Sequence, residues 1–407
     1  MHILFANNYH YLRGGSERVM FDEMAQLRAE GHCVSVFSRN HPDTIQSDDS
    51  DYFVSFKDMN TCGTLDKILW ATTPIFNYEA KRGMKRMLKE KKPDLVHAHN
   101  IYNGLSTSIL SAARAEGIPS VLTLHDYKLV CPSYVMVNHG EICEKCMGGR
   151  FRHCLRNRCA KGGALGSVLF TIESYYNLWL KKYLIPGFLI SPSQFLKDKV
   201  IAGGYPEERI KHIVNAVDMQ QYEPNTTPGD YALYIGRLSH EKGIHTLLAA
   251  FHDIDVPLRI VGTGPEQIHV ERYVEEHGLK HIRIEGYKKG SELRQLCREC
   301  AFSIIPSEWY ENCPMSVIEM MAYGKPVIGS RVGGIPELID DQQSGFLFDM
   351  GNEDQLREFA TTLWNNRAKI ESMGKYGREK AEREYSLETH KQRLLTVYES
   401  AINHNNL

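Results

Sequence analysis

The sequence predicts an α/β protein built from two doubly wound parallel sheets that face each other across a cleft. Three observations carry that reading. Short runs rich in Val, Ile and Leu alternate with helical stretches, the pattern of strands covered on both faces of a parallel sheet. The alternation occurs twice, on either side of a polar, proline-containing stretch, QQYEPNTTPGD (220–230). And 407 residues, 42% of them apolar, exceed what one core ordinarily holds and exclude a disordered or collagen-like chain.

The elements follow in order. HILFA (2–6) reads as a first strand, Ser16 to about Glu30 as a helix closed by Gly31, and CVSVFS (33–38) as the next strand. DLVHAH (94–99), PSVLTLH (119–125), FLISPS (188–193) and IKHIVNA (210–216) continue the first series. YALYIG (231–236), LRIVG (258–262), IRIEG (282–286), FSIIPS (302–307), KPVIGS (325–330) and GFLF (345–348) make the second. The expected domains are 1–215, with a Cys-rich loop at 131–159, and 216–385. A last helix at 386–407 is a candidate to pack back on the first domain.

Charge separates the halves. Residues 1–215 carry 27 basic and 21 acidic side chains, a net of +6, whereas residues 216–407 carry 21 and 29, a net of −8. The first half should meet anions more readily. No run of about 18 apolar residues occurs, so a spanning helix is not expected. The start, MHILFANNYHYLRGG, has no basic segment ahead of its short apolar run and reads as a strand, not a leader. Ten cysteines without an export signal point to a reducing compartment, the cytoplasm.

In doubly wound sheets ligands bind beyond the carboxyl ends of the strands, so the residues there are the candidates. Arg13-Gly14-Gly15-Ser16 opens the first helix. Paired glycines let backbone approach an anion at a helix N-terminus, although a plain strand–helix turn would look the same. A dinucleotide site is disfavoured, because GxGxxG is incomplete and Phe37-Ser38-Arg39 lacks the acid that holds a ribose. His125 closes a strand, as a cleft donor or as a structural histidine. In GRLSHEKG (236–243), Arg237 and Lys242 converge on one helix start; a guanidinium fork plus an ammonium makes a diphosphate clamp. Gly262 and Gly264 sit at another strand–helix turn, a weak signal by itself. In EWYENCPMSVIE (308–319), Pro314 suits a first helical turn, which puts Glu311 before the helix and Glu319 inside it. Both acids could grip sugar hydroxyls or simply complement the helix dipole.

GRLSHEKG, the pair Glu311 and Glu319, and the N-terminal Gly-Gly together resemble the retaining glycosyltransferases of family 4, over essentially the whole chain. The resemblance implies the GT-B fold of two facing Rossmann-like domains and transfer of a sugar from a UDP- or GDP-sugar to a glycan or lipid-linked glycan, in surface polysaccharide synthesis. It implies Arg237 and Lys242 on the diphosphate, helped by backbone near Gly14 and Gly15 and by the amides of Met315 and Ser316. Glu319 would hold the ribose, and the turns at Gly262, Gly264 and Tyr287 the base. Glu311 would contact the transferred sugar; His125 would contact the sugar or assist the leaving phosphate. No catalytic metal is expected. An epimerase or glycosyl phosphorylase of the same fold, or a non-catalytic zinc-dependent binding protein, are the alternatives.

Two further features stand apart. Cys143, Cys146, Cys154 and Cys159 run C-x2-C-x7-C-x4-C in a polar loop, with Cys131 just before them. Four thiolates so spaced can close a structural zinc site, with packed free thiols as the other reading. KRGMKRMLKEKK (81–92) carries seven cations and one acid. It is either a solvated helix or a patch that docks peripherally on the cytoplasmic face of an anionic membrane, worth up to about 1 kcal/mol per cation. No aromatic-interleaved platform suggests nucleic acid.

Overall fold

The computed structural model describes residues 1–56, 72–160 and 162–405. The chain divides into two compact units. The first holds Met1–His139, Cys143–Val214 and His390–Leu407; the second holds Gly140–Ile142 and Asn215–Thr389.

The first unit is a six-stranded sheet of β1 (His2–Ala6), β2 (Cys33–Phe37), β3 (Leu95–Ala98), β4 (Ser120–Thr123), β5 (Phe188–Ser191) and β6 (Ile210–His212). All pairings are parallel in the order β6-β5-β4-β3-β1-β2, so the winding reverses between β1 and β3. Its helices are α1 (Gly15–Ala29), α2 (Tyr78–Lys91), α3 (Ser108–Ala115), α4 (Arg152–Asn157), α5 (Gly163–Trp179) and α6 (Gln194–Ala202). Gly31, at φ +81°, follows the end of α1 in the left-handed conformation that stops a helix.

The second unit repeats the plan with β7 (Ala232–Ile235), β8 (Leu258–Val261), β9 (Ile282–Gly286), β10 (Phe302–Ile305), β11 (Val327–Ser330) and β12 (Gly345–Phe348). The order is β9-β8-β7-β10-β11-β12, again parallel throughout, and the winding reverses between β7 and β10. Its helices are α7 (Ile244–His252), α8 (Gln267–Glu276), α9 (Gly290–Glu299), α10 (Met315–Ala322), α11 (Ile335–Leu338), α12 (Glu353–Trp364) and α13 (Arg367–Glu384). Two Rossmann-like α/β units result.

The final helix, α14 (Leu387–Asn405), lays Leu394, Val397, Tyr398 and Ala401 into the first unit's core, beside Ile3, Phe5, Met20 and Met24. That spacing is one helical face. The polar segment 220–230, which separates the two series of strands, is bonded into the second unit. Arg367 donates to the carbonyls of Pro228 and Gly229, and Arg378 to that of Tyr222. Its polarity reflects backbone tied down by guanidinium groups, and the units part at Val214/Asn215.

Candidate active site

In the second unit the loops after β7 and β10 flank the point where the winding reverses, and they bring together the residues with the strongest chemistry. Lys242 lies in a single 3₁₀ turn, His240–Lys242, after β7. Its Nζ donates to Glu311 Oε1 at 2.5 Å and sits 5.0 Å from the centroid of the Trp309 ring. Ser307 Oγ donates to the same carboxylate oxygen at 2.8 Å. Glu311 is buried. Burial alone would push its pKa up, but the charge and hydrogen bond of Lys242, with help from Trp309 and Ser307, outweigh it and hold the carboxyl below the usual range.

Two glycines make this approach possible. Gly243 has φ +67°, and a Cβ there would stand 1.7 Å from the Pro306 carbonyl oxygen, so only glycine lets the start of α7 press on the end of β10. Gly333 does the same on the other side, where a Cβ would lie 2.2 Å from the Glu311 carbonyl oxygen. Arg237 is exposed beside this loop, its own carbonyl held by Tyr234 Oη at 3.0 Å. Met315 and Ser316 form the first turn of α10; Pro314 is the N-cap residue and supplies no side-chain cap. Glu319, one turn in, is half-buried and accepts from Tyr222 Oη at 3.2 Å. Gly262 and Gly264 have a reason in packing: a Cβ at either would meet the carbonyl oxygen of Gly236 at 1.9 Å or of Leu238 at 2.2 Å. Tyr287 is 71% exposed.

In the first unit Gly14 is the N-cap residue of α1 and Gly15 its first residue; Gly14 is extended at φ −167° and needs no glycine freedom. Buried Glu17 occupies the same first turn. His125 follows β4, and its Nε2 lies 3.0 Å from His99 Nδ1 with the two rings stacked. Burial, then the charge of His99, pushes the His125 pKa down to about 3. At neutral pH it is an uncharged imidazole, able to exchange hydrogen bonds but not to balance a phosphate's charge.

His125 is the end of a buried chain that the sequence reading passed over. His97 of β3 and His99 just after it both point toward Glu23 of α1, with Nδ1 and Nε2 at 3.5 and 3.4 Å from its Oε2. Among the described residues these three form the one group of His, Cys, Asp or Glu whose ligand atoms lie within 4.8 Å of each other. Both His97 nitrogens are already engaged, by Tyr398 at 2.6 Å and Thr123 at 2.7 Å, which reads as an internal network and not a metal set. His390 of α14 completes it, with Nδ1 at 2.8 Å from the Val214 carbonyl and Nε2 at 2.9 Å from Glu23 Oε1. Two acceptors require both nitrogens protonated, so His390 is a buried cation. The signal was present in DLVHAH: two histidines at i and i+2 share one face of a buried strand.

The five cysteines of the Cys-rich loop, Cys131 to Cys159, lie in the first unit. Cys146 and Cys154 pack with Phe151, Ala160 and Phe170, and Cys159 Sγ lies 3.8 Å from the Cys154 carbonyl. Cys131 Sγ contacts Ser133 Oγ at 3.2 Å. Burial, with Cys131, Cys159 and Cys143 adding, pushes the Cys146 thiol up to about 12, whereas a hydrogen bond from Cys154 pulls Cys159 down to about 6. By the same 4.8 Å measure no three of these thiols converge on one point.

Comparison with known proteins decides the family. Residues 13–221 match the model described as Glycosyltransferase Family 4, half of the chain, and residues 217–380 match Glycosyl transferases group 1. The chain belongs to glycosyltransferase family 4. The spore coat protein SA of Bacillus subtilis is 24% identical over 95% of both chains. An uncharacterised glycosyltransferase of Methanocaldococcus jannaschii is 35% identical over 37% of this chain and 43% of its own. The structure of Anabaena HepE in complex with UDP superposes with a TM-score of 0.70 at 18% identity, covering 98% of this chain and all of that one. Sucrose-phosphate synthase of Thermosynechococcus elongatus gives 0.70 at 19%, covering 99% and 100%. This family 4 glycosyltransferase thus has the GT-B fold, and its charged loops lie at the strand ends where that architecture binds ligands. Among the described residues of the glycosyltransferase no helix is long and apolar enough to cross a membrane.

Proposed function

We propose that the chain is a retaining glycosyltransferase that moves a sugar from a UDP- or GDP-sugar to a glycan or lipid-linked glycan of a surface polysaccharide, working in the cytoplasm at the inner face of a membrane. The observation that carries the donor half is the Lys242–Glu311 pair at the reversal point of the second sheet. A donor diphosphate would compete for Lys242, with Arg237 forking onto its other oxygens and the amides of Met315 and Ser316 beneath it. Glu311, released from its partner, would turn to the sugar hydroxyls, while Glu319 held the ribose. Charge growing on the departing diphosphate would thus meet donors already in place, without a catalytic metal. HepE was solved with UDP and UDP-glucose, which favours a uridine donor by analogy of fold.

A thermal-shift screen of UDP-, GDP- and ADP-sugars tests the donor; stabilisation by none of them would sink this reading. The anomeric configuration of the product, read by NMR, tests retention. Donor incubated without acceptor separates transfer from epimerisation, since an epimerase would convert it alone. A zinc on Cys143, Cys146, Cys154 and Cys159 is the structural part of the proposal, supported by their C-x2-C-x7-C-x4-C spacing. One zinc per chain by elemental analysis, lost in Cys159→Ser, is the expected result.

A further inference from the structure

The helix α5 is inverted. Its buried face is mostly polar, with Ser167, Thr171, Glu173, Ser174 and Asn177 beside one aromatic, Phe170; there Thr107 Oγ1 donates to Asn177, Asn177 donates to Glu173, and Lys128 pairs with Glu173 Oε2 at 2.7 Å. The opposite face is apolar and open: Leu165 is 84% exposed, Val168 39%, Ile172 51% and Trp179 74%. These positions step by three, four and seven residues, one continuous stripe along the helix axis. Inside, the ion pair and its hydrogen bonds take most of the face and Phe170 alone joins the apolar cluster of Phe151 and Cys154, whereas the outer stripe stays open, and soluble surfaces rarely keep such a stripe without an occupant.

The surroundings name the occupant. From Lys145 to Lys182 the sequence has eight Lys and Arg and a single acid, Glu173, which is the buried one. Arg150, Arg152 and Arg156 are exposed on and before α4, which packs along α5 through Phe151 against Tyr175. At the other end Lys182 lies over the Phe76 and Tyr176 rings, and Lys81 over Phe76, which brings the N-terminus of the basic helix α2 and its exposed Tyr78 beside the stripe. Farther along α2, Lys85 pairs with Glu116 at 3.2 Å and Lys91 with Asp49 at 3.0 Å. Apolar stripe, terminal Trp and an unrelieved positive border are the makings of a helix that lies in a lipid interface.

We propose that α5, not the basic stretch 81–92 alone, docks the chain on an anionic bilayer, with Leu165, Ile172 and Trp179 entering the acyl boundary and the flanking cations on the headgroups. The proposal rests on the functional reading only for its lipid-linked setting. Vesicles of phosphatidylcholine mixed with phosphatidylglycerol should recover the full chain on flotation, and phosphatidylcholine alone should recover far less. Ile172→Glu is expected to weaken recovery at least about tenfold, and raised salt to weaken it without abolishing it. Trp179 emission should shift to the blue on the vesicles, and Trp179→Phe should remove that shift. All these side chains are exposed, so the variants should keep the wild-type melting temperature. Wild-type recovery by Ile172→Glu would overturn the proposal. So would sedimentation showing that the stripe instead joins two copies, with Ile172→Glu giving monomers and unchanged vesicle recovery. Nucleotide binding by calorimetry, unaffected by Ile172→Glu, keeps a failure here separate from a failure of the donor site.

Discussion

Glu23 and Glu311 are both buried carboxylates held below the ordinary range, one in each unit, yet they are built for different ends. Glu23 sits inside the first unit among His97, His99 and His390, and its partner His390 is fixed on a helix that contributes Leu394 and Tyr398 to the same core. Glu311 sits on the loop after a strand, and its partner Lys242 reaches it from a second loop with a side chain that remains a quarter exposed. The first pair clamps the chain's last helix to its first. The second keeps one partner within reach of water. A buried ion pair is a structural commitment when both partners are locked, and a poised site when one keeps access to water.

Breaking the locked pair should have the largest effect. Glu23→Ala leaves His390 charged between a carbonyl and a cavity, and losing one partner of a buried pair costs about 3–5 kcal/mol. We expect a fall in melting temperature of several degrees, checked by calorimetry, with His390→Leu in the same background recovering part of it. Equal stability of Glu23→Ala and wild type would show that the clamp carries nothing.

Lys242→Ala should come next. It removes charge-assisted hydrogen bonds worth about 1.5–3 kcal/mol, so nucleotide affinity should fall roughly tenfold or more in isothermal titration. It also strands Glu311, and a smaller loss of stability should accompany the loss of binding. Affinity unchanged by Lys242→Ala would mean that the pair belongs with Glu23, as structure only. Glu311→Gln keeps shape and hydrogen bonds but loses the charge; turnover should drop while nucleotide binding persists, measured by initial rates against donor concentration.

Much of this was legible in the sequence, for identifiable reasons. All twelve strands of the two sheets fall on the apolar runs read as strands, because strands buried on both faces leave an unmistakable pattern. Lys242 and Glu311 were found because strand ends in a doubly wound sheet announce themselves through Gly, Arg and Pro. Their direct contact was not readable, since 69 residues separate them and only the β7–β10 adjacency closes that distance. The Glu23 network was missed for the opposite reason. Its members lie on a helix, a strand and the last helix, each a bland residue in its own segment. The inverted face of α5 was missed because a helix apolar on one side is assumed to bury that side, and the reverse depends on Lys128 and Thr107, far away in the chain.

The mildest perturbation is pH, and it separates the two carboxylates without any mutation. Burial holds His97 and His125 below the usual histidine range, His125 at about 3, so the folded chain keeps them neutral where the unfolded chain takes up protons. Each therefore withdraws stability as pH falls below about 6.5, by at most about 1.4 kcal/mol per pH unit. His390 has the opposite sign: burial would lower its pKa, but the hydrogen bond and charge of Glu23 raise it. Its contribution is complete below about 6.5 and is lost as pH rises through the folded value. Glu311, depressed by Lys242, contributes above about 4.5 and is lost only as pH falls through its lower folded value. Denaturant melts from pH 5 to pH 8 should thus show a maximum set by the histidines of the first unit. His125→Gln should flatten the acid limb by about one proton, whereas Lys242→Ala, which leaves burial to raise the Glu311 pKa, should leave the alkaline limb where it is. A maximum that moved with Lys242 and ignored His125 would reverse the assignment of the two sites.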